Sequence, residues 1–319
     1  MLLNALHHIT VQTDDLEGTR DFYRDVLGLT VGFRPDLDFP GYWLYCGDVP
    51  VVHLVPRGNA IGGGPSPDTG PFDHFAFLAQ TVRTATPKLT VPSPSMAHFR
   101  ADLSKSPYQD YEEFRADVAA TYAAEVAALY ELGCRYLQFD DTIFAFLNDP
   151  AWRENAKATG LDPEHQHEIN VAVINQALAG RPGGLTVTVH MCRGNYRSAW
   201  FSSGGYDFVA EAVFSGLQAD GYFLEYDDER SGTFEPLRFV PAGKVVVLGL
   251  VTTKTPVLES KDDLKRRVEA AARYVDGDQL CLSPQCGFAS TVDGNALTLD
   301  QQRAKLDLVV QTAAELWGS

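Results

Sequence analysis

The chain has 319 residues, 45% of them hydrophobic, and carries 26 Lys and Arg against 42 Asp and Glu, for a net charge of −16. That length holds a sizeable core and favours about two domains. The charge repels phosphate backbones and argues against nucleic acid as a partner, and no apolar run approaches the length of a membrane span. The first residues, MLLNALHHITVQTDD, lack the basic leader, apolar stretch and small-residue cleavage site of a signal peptide. Cys46, Cys134, Cys192, Cys281 and Cys286 are odd in number and irregularly spaced. They read as thiols of a reducing cytoplasm, available for metal or packing, rather than as a disulfide framework.

In chain order, short strand-like runs come first: LHHITVQ, LTVGFR, GYWLYCG, VPVVHLVP and DHFAFLA. One helical stretch, LEGTRDFYRDVLG, follows the first of them. Its Phe22, Tyr23, Val26 and Leu27 recur at helical spacing, and Gly28 is placed to end it. The predicted order is β-α-β-β-β with one further strand, and the Gly/Pro-rich GNAIGGGPSPDTGP is a loop. Beyond residue 80 the texture changes. The strands PKLTVPS, CRYLQFD, LTVTVHMC, DGYFLEY, KVVVLGLVT and QLCLSPQC alternate with long helices such as YEEFRADVAATYAAEVAALYELG, PEHQHEINVAVINQALAG and KDDLKRRVEAAARYV. A last helix follows Thr298, a predicted N-cap. This alternation predicts an α/β fold with a parallel sheet under helices. Polar residues at the strand C-termini suggest a (β/α)8-type barrel of which six strands, not eight, can be counted. The expected domains are 1–80 and 81–319.

Four residues of metal-binding type fall at three of those strand ends. His190 and Cys192 close LTVTVHMC, Glu225 closes GYFLEY and Cys286 closes LCLSPQC. Residues two apart on a strand share a side, so the first pair can face one ion. Two thiolates, an imidazole and a carboxylate make a full tetrahedral set for Zn²⁺. The spacing is not a CxxC pair, and the pattern by itself also fits buried cysteines beside a solvated Glu.

The runs VHMCRGN, GYFLEYDDERSG, VVLGLVTTK and LSPQCGFAST resemble the catalytic barrel of cobalamin-independent methionine synthases, most of all their short single-barrel relatives. The resemblance extends from about TPKLTVPSPSM to the C-terminus. It implies that His190, Cys192, Glu225 and Cys286 are zinc ligands. It also implies that Asp140, in LQFDDT, contacts an amino-acid substrate and serves catalysis, although Asp140 fits a helix N-cap equally well. Asp141 is a second candidate substrate contact, and Arg193 a candidate anion contact. The family's first two strands, with their substrate contacts, are not recognisable. Where full-length members place a proton-donating His on the seventh strand, this chain has Thr252, Thr253 and Lys254.

The N-terminal run LHHITVQTDDLEGTRDFYRDVLGLTVGFR, with VVHLVPR and DHFAFLA, resembles instead the vicinal oxygen chelate proteins, which include glyoxalases and bleomycin-resistance proteins. Three of that family's metal positions fall on His8, His53 and His74, while the fourth would lie in a second module that the chain does not contain. A second metal on these three histidines is one expectation, and histidines without a ligand are the other. His165 and His167, in the acidic PEHQHE run, are expected to face water.

The implied function is zinc-dependent methyl or alkyl transfer to a thiol such as homocysteine, as in methionine synthesis, in the cytoplasm. A methyl-folate, a simpler methyl carrier or an alkylating substrate would be the donor. The alternative is a metal- or small-molecule-binding glyoxalase-type module fused to a non-catalytic zinc-binding barrel remnant. A six-stranded arc leaves two open edges. The N-terminal strands or a second protomer could close it, which makes a homodimer one expectation, and a poorly folding recombinant of two genes is the third outcome.

Overall fold

The computed structural model describes residues 9–25, 28–36, 38–47, 49–56, 85–99, 103, 108, 110–158, 162–289 and 294–318. Its contacts group into two compact units, Met1–Pro87 with Leu132–Cys134, and Lys88–Glu131 with Arg135–Ser319.

The first unit holds β1 (Ile9–Thr13), α1 (Leu16–Asp25), β2 (Thr30–Val31), β3 (Tyr42–Cys46) and β4 (Val49–Pro56). The sheet order is β1-β4-β3-β2, with β1 parallel to β4 and the other pairs antiparallel. The Asp15 carboxylate accepts the Gly18 amide at 2.9 Å and starts α1. Gly28, at φ 73°, donates its amide to the Arg24 carbonyl and ends it, using a left-handed conformation that glycine adopts without cost. Val11, Leu44, Val52 and Leu54 form the core, with Leu16 and Tyr23 of the helix packed on it. This is the β-α-β-β-β order predicted. The second strand is shorter than expected, because after Val31 the chain leaves the sheet and Phe33 stands 77% exposed. The expected strand DHFAFLA, with His74, and the residues His7 and His8 lie outside the described residues.

In the second unit β5 (Leu89–Pro92) is followed by α2 (Pro94–Phe99) and α3 (Tyr111–Glu131). Then come β6 (Tyr136–Asp141), α4 (Ile143–Leu147), α5 (Pro150–Ala158), α6 (Gln166–Ala177), β7 (Thr186–Met191) and α7 (Ala210–Gly216). The chain finishes with β8 (Gly221–Glu225), β9 (Val245–Val251), α8 (Lys261–Ala271), β10 (Leu280–Pro284) and α9 (Leu299–Trp317). The six strands form one parallel sheet in the order β10-β9-β8-β7-β6-β5. Among the described residues β5 and β10 are its edges and do not pair with each other. Strand β9, VVVLGLV, is buried at every residue but its first, as a strand covered on both faces must be. Because all strands run one way, their C-terminal ends lie along a single rim, and the loops after β7, β8, β9 and β10 meet there. No described helix is long and apolar enough to cross a membrane.

Thr298 caps α9 as predicted. Its hydroxyl accepts the Gln301 amide at 3.3 Å, and the Gln301 side chain accepts the Thr298 amide at 2.8 Å. Thr298→Ala is expected to cost about 1 kcal/mol, read as a lower urea midpoint with an unchanged slope.

Candidate metal centre

His190 lies near the end of β7, with Cys192 just beyond it, and Glu225 is the last residue of β8. Strand β10 ends at Pro284, where its register against β9 shifts, so Cys286 sits two residues past the strand. The ligand-type atoms of these four residues all lie within 4.8 Å of one another. Among the described residues no other group of three or more His, Cys, Asp and Glu gathers in this way.

The spacings can be held against those of a tetrahedral zinc site. Two sulfurs at about 2.3 Å from one ion stand roughly 3.8 Å apart, and a nitrogen and an oxygen at about 2.1 Å stand roughly 3.4 Å apart. The Cys192 and Cys286 sulfurs are 3.8 Å apart, and His190 Nε2 lies 3.5 Å from Glu225 Oε1. Both of the latter atoms are buried without a hydrogen-bond partner. A disulfide would need its sulfurs at about 2.05 Å.

The electrostatics agree. Burial alone would lower the His190 pKa, but the neighbouring Cys286 and Glu225 raise it well above its usual value. Contact with Cys286, burial and the Glu225 charge raise Cys192, and burial raises Glu225. Negative charge is therefore disfavoured in this desolvated place unless a cation accompanies it, and a divalent cation would favour the thiolate and carboxylate forms. The residues fit zinc.

The surroundings fix these groups. The Gly194 amide donates to Cys192 Sγ at 3.4 Å, as it can to a thiolate. Gly194 is at φ 96°, and a Cβ there would come within 2.7 Å of Phe201. Tyr206 is fully buried and holds the Glu225 backbone. Its hydroxyl accepts the Glu225 amide at 2.9 Å and donates to the Glu225 carbonyl at 3.3 Å, and burial pushes its pKa up to about 12. Asn195 donates to the Gly287 carbonyl at 2.6 Å and accepts from Asn295 at 2.9 Å. Asn295 also donates to the Thr253 carbonyl at 2.9 Å, so the loops after β7, β9 and β10 are tied together. Gly249 of β9 allows the Cys286 loop to approach, since a Cβ there would lie 2.6 Å from Gln285 Cα.

A cavity of about 440 Å³ adjoins the cluster, with His190, Cys286, Asp140, Gln138, Lys88 and Phe223 in its wall. Asp140 is half-buried there, 3.9 Å from His190 Nε2. Burial raises its pKa, which the nearby His190 partly offsets. Lys88 donates to Gln138 at 2.7 Å and lies 3.8 Å over the Phe223 ring.

Asp141 does not face this cavity. It is fully buried, and its carboxylate accepts from the Ser95 hydroxyl and from the Phe144 amide at the start of α4. Those bonds tie its carboxylate to Ser95 and to the start of α4, and it is not among the residues that line the cavity. Arg193 is also buried, beneath its own loop. It donates to the Gly204 carbonyl and stacks 4.5 Å over Tyr206, and it does not line this cavity. The guanidinium braces the loop that carries Tyr206, and its Nε and Nη2 are buried without a hydrogen-bond partner. His165 is exposed as expected, but His167 is buried edge-to-face against Phe208, on the inward side of α6. His53 is buried in β4 and stacks at 3.9 Å on Trp43. With His8 and His74 outside the described residues, the proposed three-histidine set cannot be assembled from them.

Residues 96–315 match the family model of the cobalamin-independent synthase catalytic domain, which is more than half of the chain. Residues 5–90 match the glyoxalase/bleomycin resistance protein/dioxygenase superfamily. The chain is 50% identical over 269 residues to the uncharacterized protein YxjG of Bacillus subtilis (strain 168), covering 83% of this chain and 71% of that one. It is 26% identical over 183 residues to a methionine synthase of Pyrococcus abyssi (strain GE5 / Orsay), covering 57% of this chain but only 45% of that protein. A Listeria monocytogenes crystal structure assigned as a vitamin-B12 independent methionine synthase superposes with a TM-score of 0.62 at 35% identity, covering 79% of this chain and 73% of that one.

Proposed function

The chain belongs to the cobalamin-independent synthase catalytic-domain family, and from that membership we propose that it transfers a methyl or related alkyl group to a substrate thiol, with zinc at His190, Cys192, Glu225 and Cys286. The observation that carries this reading is the set of four donor atoms within 4.8 Å of one another, two of them buried and without a hydrogen-bond partner. Zinc held there would act as a Lewis acid that keeps a substrate thiol in its nucleophilic thiolate form.

The chain's own residues supply the rest. The Gly194 amide bonds the Cys192 sulfur, while Tyr206 and the Asn195–Asn295 pair hold the backbone at Glu225 and beside Cys286. Asp140, in the cavity wall beside His190, is placed to accept the ammonium of an amino-acid thiol such as homocysteine. The reaction is a displacement at carbon. The substrate sulfur, having lost its proton to solvent on becoming a thiolate, forms the new S–CH3 bond as the donor's bond to that carbon breaks, and the donor leaves with the bonding pair and takes up a proton. A methyl-folate is the first donor to examine and a simpler methyl carrier the second.

The zinc-loaded protein is expected to make methionine from L-homocysteine and one of these donors, followed by mass spectrometry. A chelator should abolish turnover and added zinc restore it. Zinc in place with no thiol-dependent turnover for any donor would overturn the enzyme reading, leaving a zinc-binding barrel beside a glyoxalase-type module.

A further inference from the structure

Three loops of the sheet's C-terminal rim enclose a second cavity, of about 360 Å³. Trp200 comes from the loop after β7, Asp227, Asp228 and Arg230 from the loop after β8, and Thr252 and Lys254 from the loop after β9. Lys254 is only 9% exposed, and its Nζ is buried without a hydrogen-bond partner. An ammonium carries three donors, and burying one unpaired is costly. Arg230 binds Asp228 through Nε at 2.5 Å and through Nη2, and its guanidinium lies 4.3 Å over the Trp200 ring. Its remaining Nη1 is buried and again has no partner. The Lys254 and Arg230 side chains thus both line this cavity, and each keeps a buried nitrogen without a hydrogen-bond partner.

We propose that this cavity is a carboxylate subsite beside the metal centre, with Lys254 and Arg230 as the counter-ions of a substrate carboxylate. Two oxygens on one planar group can serve two donors on separate loops. A phosphate dianion fits less well, because Asp227 and Asp228 stand in the same wall. The subsite lies on the same rim as the four-residue cluster, since Asp227 lies two residues beyond Glu225 at the end of β8 and Lys254 three residues beyond the end of β9. The assignment rests on the thiol-transfer reading only for which reactant brings the carboxylate, the thiol acceptor or the alkyl donor.

Binding to the zinc-containing full chain, measured calorimetrically with two pairs of probes, tests this. L-Homocysteine is compared with 3-aminopropane-1-thiol, which lacks only the carboxylate, and 5-methyltetrahydrofolate with a 5-methyltetrahydropterin that lacks the carboxylated tail. The carboxylate-bearing member of at least one pair should bind about tenfold tighter. Lys254→Met should remove that preference, Lys254→Arg should keep it, and neither should change zinc content. A preference in the thiol pair assigns the subsite to the acceptor, and one in the folate pair assigns it to the donor. No preference in either pair, or one that survives Lys254→Met, overturns the proposal. Should Lys254→Met fail to fold, Arg230→Gln, half-buried at the same wall, carries the same comparison. Failure of the thiol-transfer reading shows separately, as zinc-loaded protein without turnover, and leaves these binding differences measurable.

Discussion

Cys286→Ser is expected to reduce zinc from about one ion per chain to a small fraction of that, and thiol-dependent transfer with it. A serine hydroxyl stays neutral at pH 7 and cannot replace a soft thiolate. The loop that carries Cys286 has little freedom to offer another ligand, since it is tied through Gly287 to Asn195 and packs at Gln285 over Gly249. Cys281→Ser is the control. That thiol is exposed on β10, five residues before Cys286 and outside the cluster. Elemental mass spectrometry on the two variants, purified together, should show zinc lost from the first and kept by the second. Equal zinc in both would remove Cys286 from the ligand set.

Glu259→Ala should destabilise the protein by about 3 kcal/mol. Lys305, on α9, has a fully buried side chain whose Nζ donates to the Val257 carbonyl at 2.6 Å and to both Glu259 oxygens at 3.0 and 3.1 Å. Removing the carboxylate leaves that ammonium buried beside one carbonyl. Oε1 of Glu259 also accepts the Thr252 amide at 2.8 Å, so the loop bearing Lys254 loses an anchor. Replacing Lys305 with Met in the same chain should recover much of the loss, because the uncompensated charge goes with it. Urea unfolding of the single and double variants measures the coupling, and strictly additive losses would show that the pair does not act as a unit.

The sheet was legible in the sequence because its strands are short apolar runs that each end in polar residues. All six predicted strands of the second unit are present, and the four long helices fall within a few residues of their predicted spans. The short helices α2, α4, α5 and α7 were not predicted. Helix α4 shows why. IFAFL is buried at all five residues, so it carries no amphipathic period, and only the side chain of Asp141 marks its start.

At the site, the H-x-C run and the strand-end Glu and Cys named a set that the fold brings together. What holds them was not legible. Tyr206 lies in an irregular loop fourteen residues after Cys192, and nothing local predicts that its hydroxyl meets the Glu225 backbone. The same limit explains the two aspartates. Neighbours on a strand point to opposite sides, so one of Asp140 and Asp141 had to face the cavity and the other the helices. The sequence does not say which, and the structure turns Asp140 inward. Lys254 was visible as a departure from the family pattern, but its burial without a partner depends on where the loops after β7 and β8 lie.

The measurement that bears most directly on the central claim is the metal content of the purified, monodisperse protein. About one zinc per chain, lost to a chelator and regained on adding zinc, is the predicted result. A well-folded sample that holds no zinc, and takes up none when it is supplied, would contradict the assignment of His190, Cys192, Glu225 and Cys286 as a metal centre.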